Sequence, residues 1–448
     1  MPPVYLGGVV RLAVLLLLLA LPAAADGLAS STAKAIEALG VKWFKARPKT
    51  LFDAWDPAAR SALLEQARAL GKLPEGSLEQ VRDLLWKSAK KHGPRGKGTG
   101  KQTIETPYGE AWFYVKGKGR GKGLVIGLHG GGEGAGSADE PAGKWSAKNC
   151  MGMYPQGIRL VHDTWNTVHG EKFILTMIEI AKTQYEIDPD RVYSMGFSMG
   201  GTGSWFMAGR HPDLLAGSSP CAGVLMASPV SQVATKEEVT ALQYGILPNV
   251  RNLAMYYYIG LQDRNCMPGT YLYAWDEILA MRERDPGGYA RIEFKTYPGL
   301  AHAFPPGEPQ TGMEWIEKQE RDSFPEKVVW ENALNPYPLP EAGDKTDRFV
   351  KRWFYWLRHE APRDRMFLEA TRKGNEFDLS GVEAEAEGLT ILLNPSMIDV
   401  AQEVVVRLAG KEVYRGRPEP EFVTLLESLD ARLDTTLVFD RCIGLGAP

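Results

Sequence analysis

The chain has 448 residues, 44% of them apolar and 24% charged, with a formal net charge of −3. That length accommodates two or three domains with sizeable cores, and the composition is ordinary for a globular protein. Acids and bases are mixed along the chain, so the overall charge points neither to a nucleic-acid partner nor to an anionic membrane surface.

The first 25 residues differ from the rest. Arg11 precedes the apolar stretch Leu12–Leu21, Pro22 interrupts it, and Ala23-Ala24-Ala25 supplies a small-residue cleavage pattern before Asp26. This reads as a cleavable signal peptide over 1–25, with a secreted or periplasmic product expected. The apolar run is well short of the roughly 20 residues that cross a bilayer, so no stable membrane span is expected.

Residues 26–101 read as a helical extension and linker packing on the main domain. Asp56-Pro57 is an N-cap followed by a first-turn proline, ahead of the stripe Leu63, Leu64, Ala67 and Leu70 that ends at Gly71. Ser77 with Gln80 makes a capping-box pattern before Val81, Leu84 and Leu85. The run Lys87–Lys101 is rich in Gly and Lys without aromatics, which suits a solvated linker rather than a nucleic-acid surface.

From 102 to 340 strands and helices alternate. Strands are expected at Glu110–Val115, Gly123–Leu128, Ile158–His162, Val192–Phe197, Leu215–Ser219, Leu253–Ile259 and Ile292–Tyr297. Helices are expected at Glu171–Tyr185, Met199–Arg210 and Tyr271–Arg282, with a closing helix within Thr311–Arg321. The pattern implies an α/β fold: a mostly parallel sheet with helices on both faces, binding ligands beyond the carboxyl ends of its strands. Residues 341–448 read as a small β-rich domain, from Phe367–Thr371, Glu376–Leu379, Leu389–Leu393, Val404–Leu408, Lys411–Tyr414 and Leu437–Phe439, with one helix at Phe422–Leu429.

One motif stands out for its chemistry. Gly196-Phe197-Ser198-Met199-Gly200 falls between an expected strand and an expected helix. A serine hydroxyl is a weak nucleophile unless it is held clear of the backbone beside a base. A sharp strand-to-helix turn does the holding, and its crowding excludes Cβ atoms at the flanking glycines. Such a site takes its acid and then its base from later in the chain. His302, in a loop past the last expected strand, is the candidate base; His359 falls beyond the sheet and reads as a surface residue. Asp263, in the loop after Met255–Gly260, is the candidate acid, ahead of Asp276 and Asp285. Backbone N–H donors to an oxyanion are expected from Met199 and from Gly130 or Gly131, in the His129-Gly130-Gly131-Gly132 loop. His129 precedes the serine and reads as structural.

Together the glycine loop, the serine turn, the aspartate and the histidine resemble an α/β-hydrolase over roughly residues 102–325. The chain is similar in particular to secreted serine esterases of the polyhydroxybutyrate-depolymerase, feruloyl-esterase and dienelactone-hydrolase-like groups. It departs from true dienelactone hydrolases, which carry a cysteine where Ser198 stands. Prolyl-oligopeptidase-type peptidases usually have tyrosine after the serine and a large N-terminal propeller, so Met199 and the short helical N-terminus weigh against that alternative.

The resemblance implies a serine hydrolase that cleaves a small-molecule or polymer-borne carboxylic ester, with no metal or organic cofactor and no nucleic-acid partner. A serine peptidase and a catalytically inactive binding protein are the alternatives. Trp145, Tyr154, Trp165 and Trp205 are candidates to line a pocket, and the short Gly223–Asn252 connection suggests an open site. Cys221 and Cys266 both follow expected strands and are candidates for a disulfide, while the other cysteines are Cys150 and Cys442.

Overall fold

The structure is a computed structural model, and it describes residues 28–131, 136–145, 147–157, 164–225, 245–266, 268–333, 349–381 and 386–446. The signal-peptide segment, the expected strand Ile158–His162, Gly132 and most of the Gly223–Asn252 connection lie outside the described residues.

Eight strands build the main sheet: β1 (Gly100–Thr106), β2 (Gly109–Lys116), β3 (Gly123–Leu128), β4 (Cys150–Pro155), β5 (Val192–Phe197), β6 (Gly217–Cys221), β7 (Ala254–Gly260) and β8 (Ile292–Tyr297). Their order is β1-β2-β4-β3-β5-β6-β7-β8, and β2 runs antiparallel to both of its neighbours while the β4-to-β8 pairings are parallel. The inner strands β3 to β7 are buried on both faces, as helix-covered parallel strands are, and where β5 and β6 carry serines, Ser194 and Ser218 hydrogen-bond each other at 2.8 Å. Leu124, Ile126 and Leu128 of β3 join one core and Val125 the opposite one, following the two-residue alternation of a pleated strand.

Two strands differ from expectation. β1 begins inside the segment read as linker; its pattern is mostly exposed because it is the sheet edge, so polar residues suffice there. β4 is formed by Cys-Met-Gly-Met-Tyr-Pro, fully buried, although it lacks the β-branched residues that mark a strand.

The helices in chain order are α1 (Ser30–Ala46), α2 (Pro57–Leu70), α3 (Leu78–His92), α4 (Asp139–Lys144), α5 (Val168–Gln184), α6 (Met199–Arg210), α7 (Pro268–Arg284), α8 (Gln310–Ile316) and α9 (Phe422–Arg432). The Asp56 carboxylate caps α2 by accepting from the Ala59 N–H at 2.7 Å. The capping box at Ser77 does not form: its hydroxyl donates to the Pro74 carbonyl, and Gln80 accepts from the Leu28 N–H. Lys87–His92 belong to α3, not to a linker.

The C-terminal part is a two-layer sandwich. One sheet pairs β10 (Trp353–Phe354), β11 (Leu357–His359), β14 (Leu389–Leu393) and β17 (Arg441–Leu445). The other runs β16 (Lys411–Gly416), β15 (Val404–Leu408), β13 (Glu376–Ser380), β12 (Phe367–Lys373) and β9 (Lys327–Glu331). Both sheets share one apolar core with Trp330, Phe354 and Trp356. The β9 strand lies ahead of residue 341, so this sheet reaches back across that position. The final strand is Arg441–Leu445, while Leu437–Phe439 is buried as irregular chain. His359 is buried in β11 rather than on the surface. Helix α9 leaves the sandwich to pack with α1–α3 in a single core containing Trp43, Phe44, Leu85, Phe422 and Leu426. The N-terminal extension therefore packs largely on the C-terminal part.

Buried ion pairs join these units. Arg321 reaches Asp190 at 2.7 Å and Asp434 at 3.0 Å, and Lys182 reaches Asp434 at 2.6 Å. Arg47 of the N-terminal segment holds both Glu179 of α5 and Asp430 of α9 at 2.7 Å. His211 donates from Nε2 to Glu171 and accepts from the Lys351 ammonium at Nδ1, which is the pattern of a neutral ring.

Burial pushes His211 down to about 4, with the Lys351 charge adding to the effect, and burial likewise pushes His169 down to about 4. The unfolded chain takes up these two protons below about pH 6.5, and the folded chain does not until about 4. The unfolded state therefore binds more protons in that window, so stability falls as pH drops through it. Each histidine withholds on the order of 3 kcal/mol by pH 4. Melting temperature measured from pH 7 to pH 4 should decline as pH falls below about 6.5; a flat profile down to 4 would contradict this.

Candidate active site

The site gathers at the carboxyl ends of β3, β5, β7 and β8. Ser198 stands between β5 and α6 with φ 57° and ψ −123°, a backbone conformation costly for a non-glycine residue. The crowding that forces it is visible at its neighbours. A Cβ on Gly196 would run into the Gly200 backbone, and one on Gly200 into the Leu128 carbonyl. Gly200→Ala should thus destabilise the chain by about 1–3 kcal/mol or more and displace Ser198. Chemical denaturation and a kcat measurement on the same variant check this, and an alanine tolerated in both would show that the turn has room to spare.

His302, in the loop after β8, places Nε2 at 2.9 Å from Ser198 Oγ. Its Nδ1 meets Asp263 Oδ2 at 2.7 Å. Asp263 follows β7 and is 3% exposed, while its other oxygen accepts from the Asn265 and Cys266 N–H groups at 2.8 and 3.0 Å. Burial opposes the charge on this carboxylate, but the hydrogen bonds from His302, Cys266 and Asn265 outweigh it and hold Asp263 below the usual carboxylate range. A buried anion on Nδ1 fixes the tautomer that leaves Nε2 free to accept a proton from Ser198.

The structure brings the three expected side chains into one chain of hydrogen bonds and leaves their rivals elsewhere. Asp285 is paired with Arg251 and Lys327, and Asp276 is exposed on α7. The Cys266 thiol lies with the Asp263 and His302 donor atoms within 4.8 Å, a set with the chemistry to hold a cation. In this structure the carboxylate and imidazole atoms are engaged with each other.

The candidate oxyanion donors surround Ser198. Met199 opens α6, where the N–H groups of the first turn have no intrahelical acceptor. The Gly130 backbone approaches closely enough that an added Cβ would sit 3.3 Å from Ser198 Cβ. His129 is buried and accepts the Gly157 N–H at Nε2 (2.9 Å), so Nδ1 carries the proton and donates to the Gly130 carbonyl at 2.8 Å. Because a trans peptide points its N–H opposite to its carbonyl, this contact turns the Gly131 N–H away from His129. Gly131 itself has φ 83°, a conformation natural to glycine.

Several expectations are corrected here. Trp145, Tyr154, Trp165 and Trp205 are all buried and serve packing: the Tyr154 hydroxyl donates to the Trp145 carbonyl, and Trp205 stacks edge-on against Tyr257 at 4.8 Å. The aromatic wall beside the serine is instead Phe197 and Phe304, 4.2 Å apart, with Phe197 4.9 Å from the His302 ring. Phe197 was readable from its place next to Ser198, whereas Phe304 becomes visible only when the β8 loop folds back. Cys221 and Cys266 do not form a disulfide; all four cysteines are free thiols, and burial pushes Cys221 up to about 12.

An eight-stranded sheet in this order with β2 reversed, a serine turn after β5, an acid after β7 and a histidine after β8 define the α/β-hydrolase fold. No family model matches the chain, and none of the curated proteins does. Among solved structures it is similar to a thermostable esterase, at 19% identity and a TM-score of 0.35, over 49% of this chain. It spans 63% of that esterase's length, less than two thirds. An acetyl xylan esterase from Aspergillus awamori matches at 20% identity and a TM-score of 0.36, over 48% of this chain and 98% of its own. An acylaminoacyl peptidase from Pyrococcus horikoshii matches at 12% identity and a TM-score of 0.36, over 49% of this chain and 39% of its own.

Proposed function

We propose that this chain is an exported serine hydrolase that cleaves carboxylic esters through an acyl-enzyme. The observation that carries the reading is the continuous hydrogen-bond chain from Ser198 Oγ through His302 to the buried Asp263. Ser198 Oγ attacks the ester carbonyl carbon while His302 Nε2 takes its proton. The oxyanion that forms is met by the Met199 N–H and by that of Gly130 or Gly131. Collapse of the tetrahedral species breaks the bond to the alcohol, which leaves with the proton from His302. A water then repeats the sequence on the acyl-serine and releases the acid. Asp263 stays ionised throughout and keeps the imidazole oriented. Export rests on the signal-like segment 1–25. Among the described residues no helix is long and apolar enough to cross a membrane.

A panel of p-nitrophenyl esters, feruloyl esters and aminoacyl amides tests the bond class with purified protein. Ester turnover with amides untouched is expected. Faster amide cleavage would make the chain a peptidase, and no turnover of any substrate would favour a binding protein on this fold.

A further inference from the structure

Three donor atoms of different chemistry converge beside the serine. A carboxylate oxygen of Asp263, an imidazole nitrogen of His302 and the Cys266 sulfur all lie within 4.8 Å of one another. Among the described residues no other group of three or more histidine, cysteine or acidic side chains is so placed. Asp263 and His302 belong to the reaction proposed above, but the thiol takes part in none of its steps. Cys266 is a free cysteine in the loop after β7, 5% exposed. Of the two imidazole nitrogens Nδ1 faces this set, since Asp263 Oδ2 is 2.7 Å from it.

The spacing suits a small tetrahedral cation. Zinc, with bonds of about 2.0–2.3 Å, sets its ligand atoms about 3.3–3.8 Å apart. The Asp263 and His302 atoms would open by about 0.6 Å, and the sulfur would close by about 1.3 Å at most. Charge balances as well: the Asp263 carboxylate and a Cys266 thiolate together match a divalent ion, in a place where unbalanced charge is costly. Sulfur and nitrogen donors favour zinc over magnesium and calcium, which take oxygen ligands. A cleft of about 530 Å³, with Asp263, Asn265, Ala301 and His302 in its lining, opens the set to solvent.

We propose that a zinc ion binds Asp263, Cys266 and His302 and switches the hydrolase off. The ion takes the Nδ1 lone pair, the Cys266 thiol gives its proton to solvent, and the imidazole proton moves from Nδ1 to Nε2. That tautomer donates at Nε2 and cannot accept the Ser198 proton, so the nucleophile is left without its base. The ion acts as an inhibitor, not a cofactor. Its effect on turnover rests on the serine-hydrolase reading, whereas its binding does not.

Cobalt(II) and zinc are the probes, used on the full chain. One cobalt ion should bind per chain with a thiolate-to-cobalt charge-transfer absorption, which zinc removes by displacement and Cys266→Ala lacks. This absorption reads the site whether or not the chain cleaves esters. Ester turnover should fall about 10²-fold or more at saturating zinc, as loss of a general base requires, and return on adding EDTA. Magnesium and calcium should leave it unchanged. In Cys266→Ala and Cys266→Ser, half-inhibition should need about 10–100-fold more zinc, with turnover scored relative to the same variant without zinc. Ester turnover unchanged by zinc, a cobalt spectrum without the thiolate band, a band kept by Cys266→Ala, or equal zinc sensitivity with and without the thiol would overturn the proposal.

Discussion

Ser198→Ala should lower kcat by about 10⁴–10⁶, as loss of a nucleophile that acts as a unit with its base does. The side chain is only partly buried and its loss removes a single hydrogen bond, to His302, so the folded state should be nearly unchanged. Circular dichroism and melting temperature alongside kinetics separate the two effects. His302→Ala should give a loss of the same order, because the pair acts as one device and the effects do not add. A Ser198→Ala protein that keeps most of its activity would move the nucleophile elsewhere.

Truncation after Asp344 should yield aggregated or strongly destabilised protein rather than a soluble enzyme with altered substrate range. The cut removes β12 from beside β9, leaving Trp330 without the core that buries it. It strips Phe422, Leu425, Leu426 and Leu429 from the core they share with α1–α3. It also takes Asp434 away from Lys182 and Arg321, which are 2% and 1% exposed at their side chains. Breaking one side of a buried ion pair costs about 3–5 kcal/mol, against a total stability of about 5–15 kcal/mol. Asp434→Ala is the point version and should cost that amount by itself. A truncated protein that stays soluble and cooperative, losing only affinity for a polymer, would show the C-terminal part to be an independent binding module.

The site was more legible in the sequence than the fold around it. Gly196, Ser198 and Gly200 are dictated by sterics within five residues, so a short window contains the whole requirement. Asp263 was readable because it follows the strongly apolar strand β7. His302 was readable because it follows β8, an edge strand in which Ile292 and Phe294 alternate with Glu293 and Lys295; the ends of both strands mark the active face. β4 was missed because a fully buried central strand can be built from Met, Gly and Tyr when helices cover both faces, and periodicity then carries no mark of it. β1 was missed for the opposite reason: an edge strand tolerates Gly, Lys and Gln. The aromatic residues proposed for a pocket failed on burial, since Trp165 and Trp205 fill space on the inner side of α6. The packing of α9 on α1–α3 joins segments more than 300 residues apart, and no local pattern announces such a pairing.

The claim that Ser198 is an activated nucleophile is tested most directly by covalent labelling. The purified protein should be treated with a fluorophosphonate and its mass measured intact and after proteolysis. One adduct per chain is expected, on the peptide that contains Ser198, and none on the Ser198→Ala or His302→Ala proteins. An unlabelled protein, or an adduct on any other residue, would contradict the assignment.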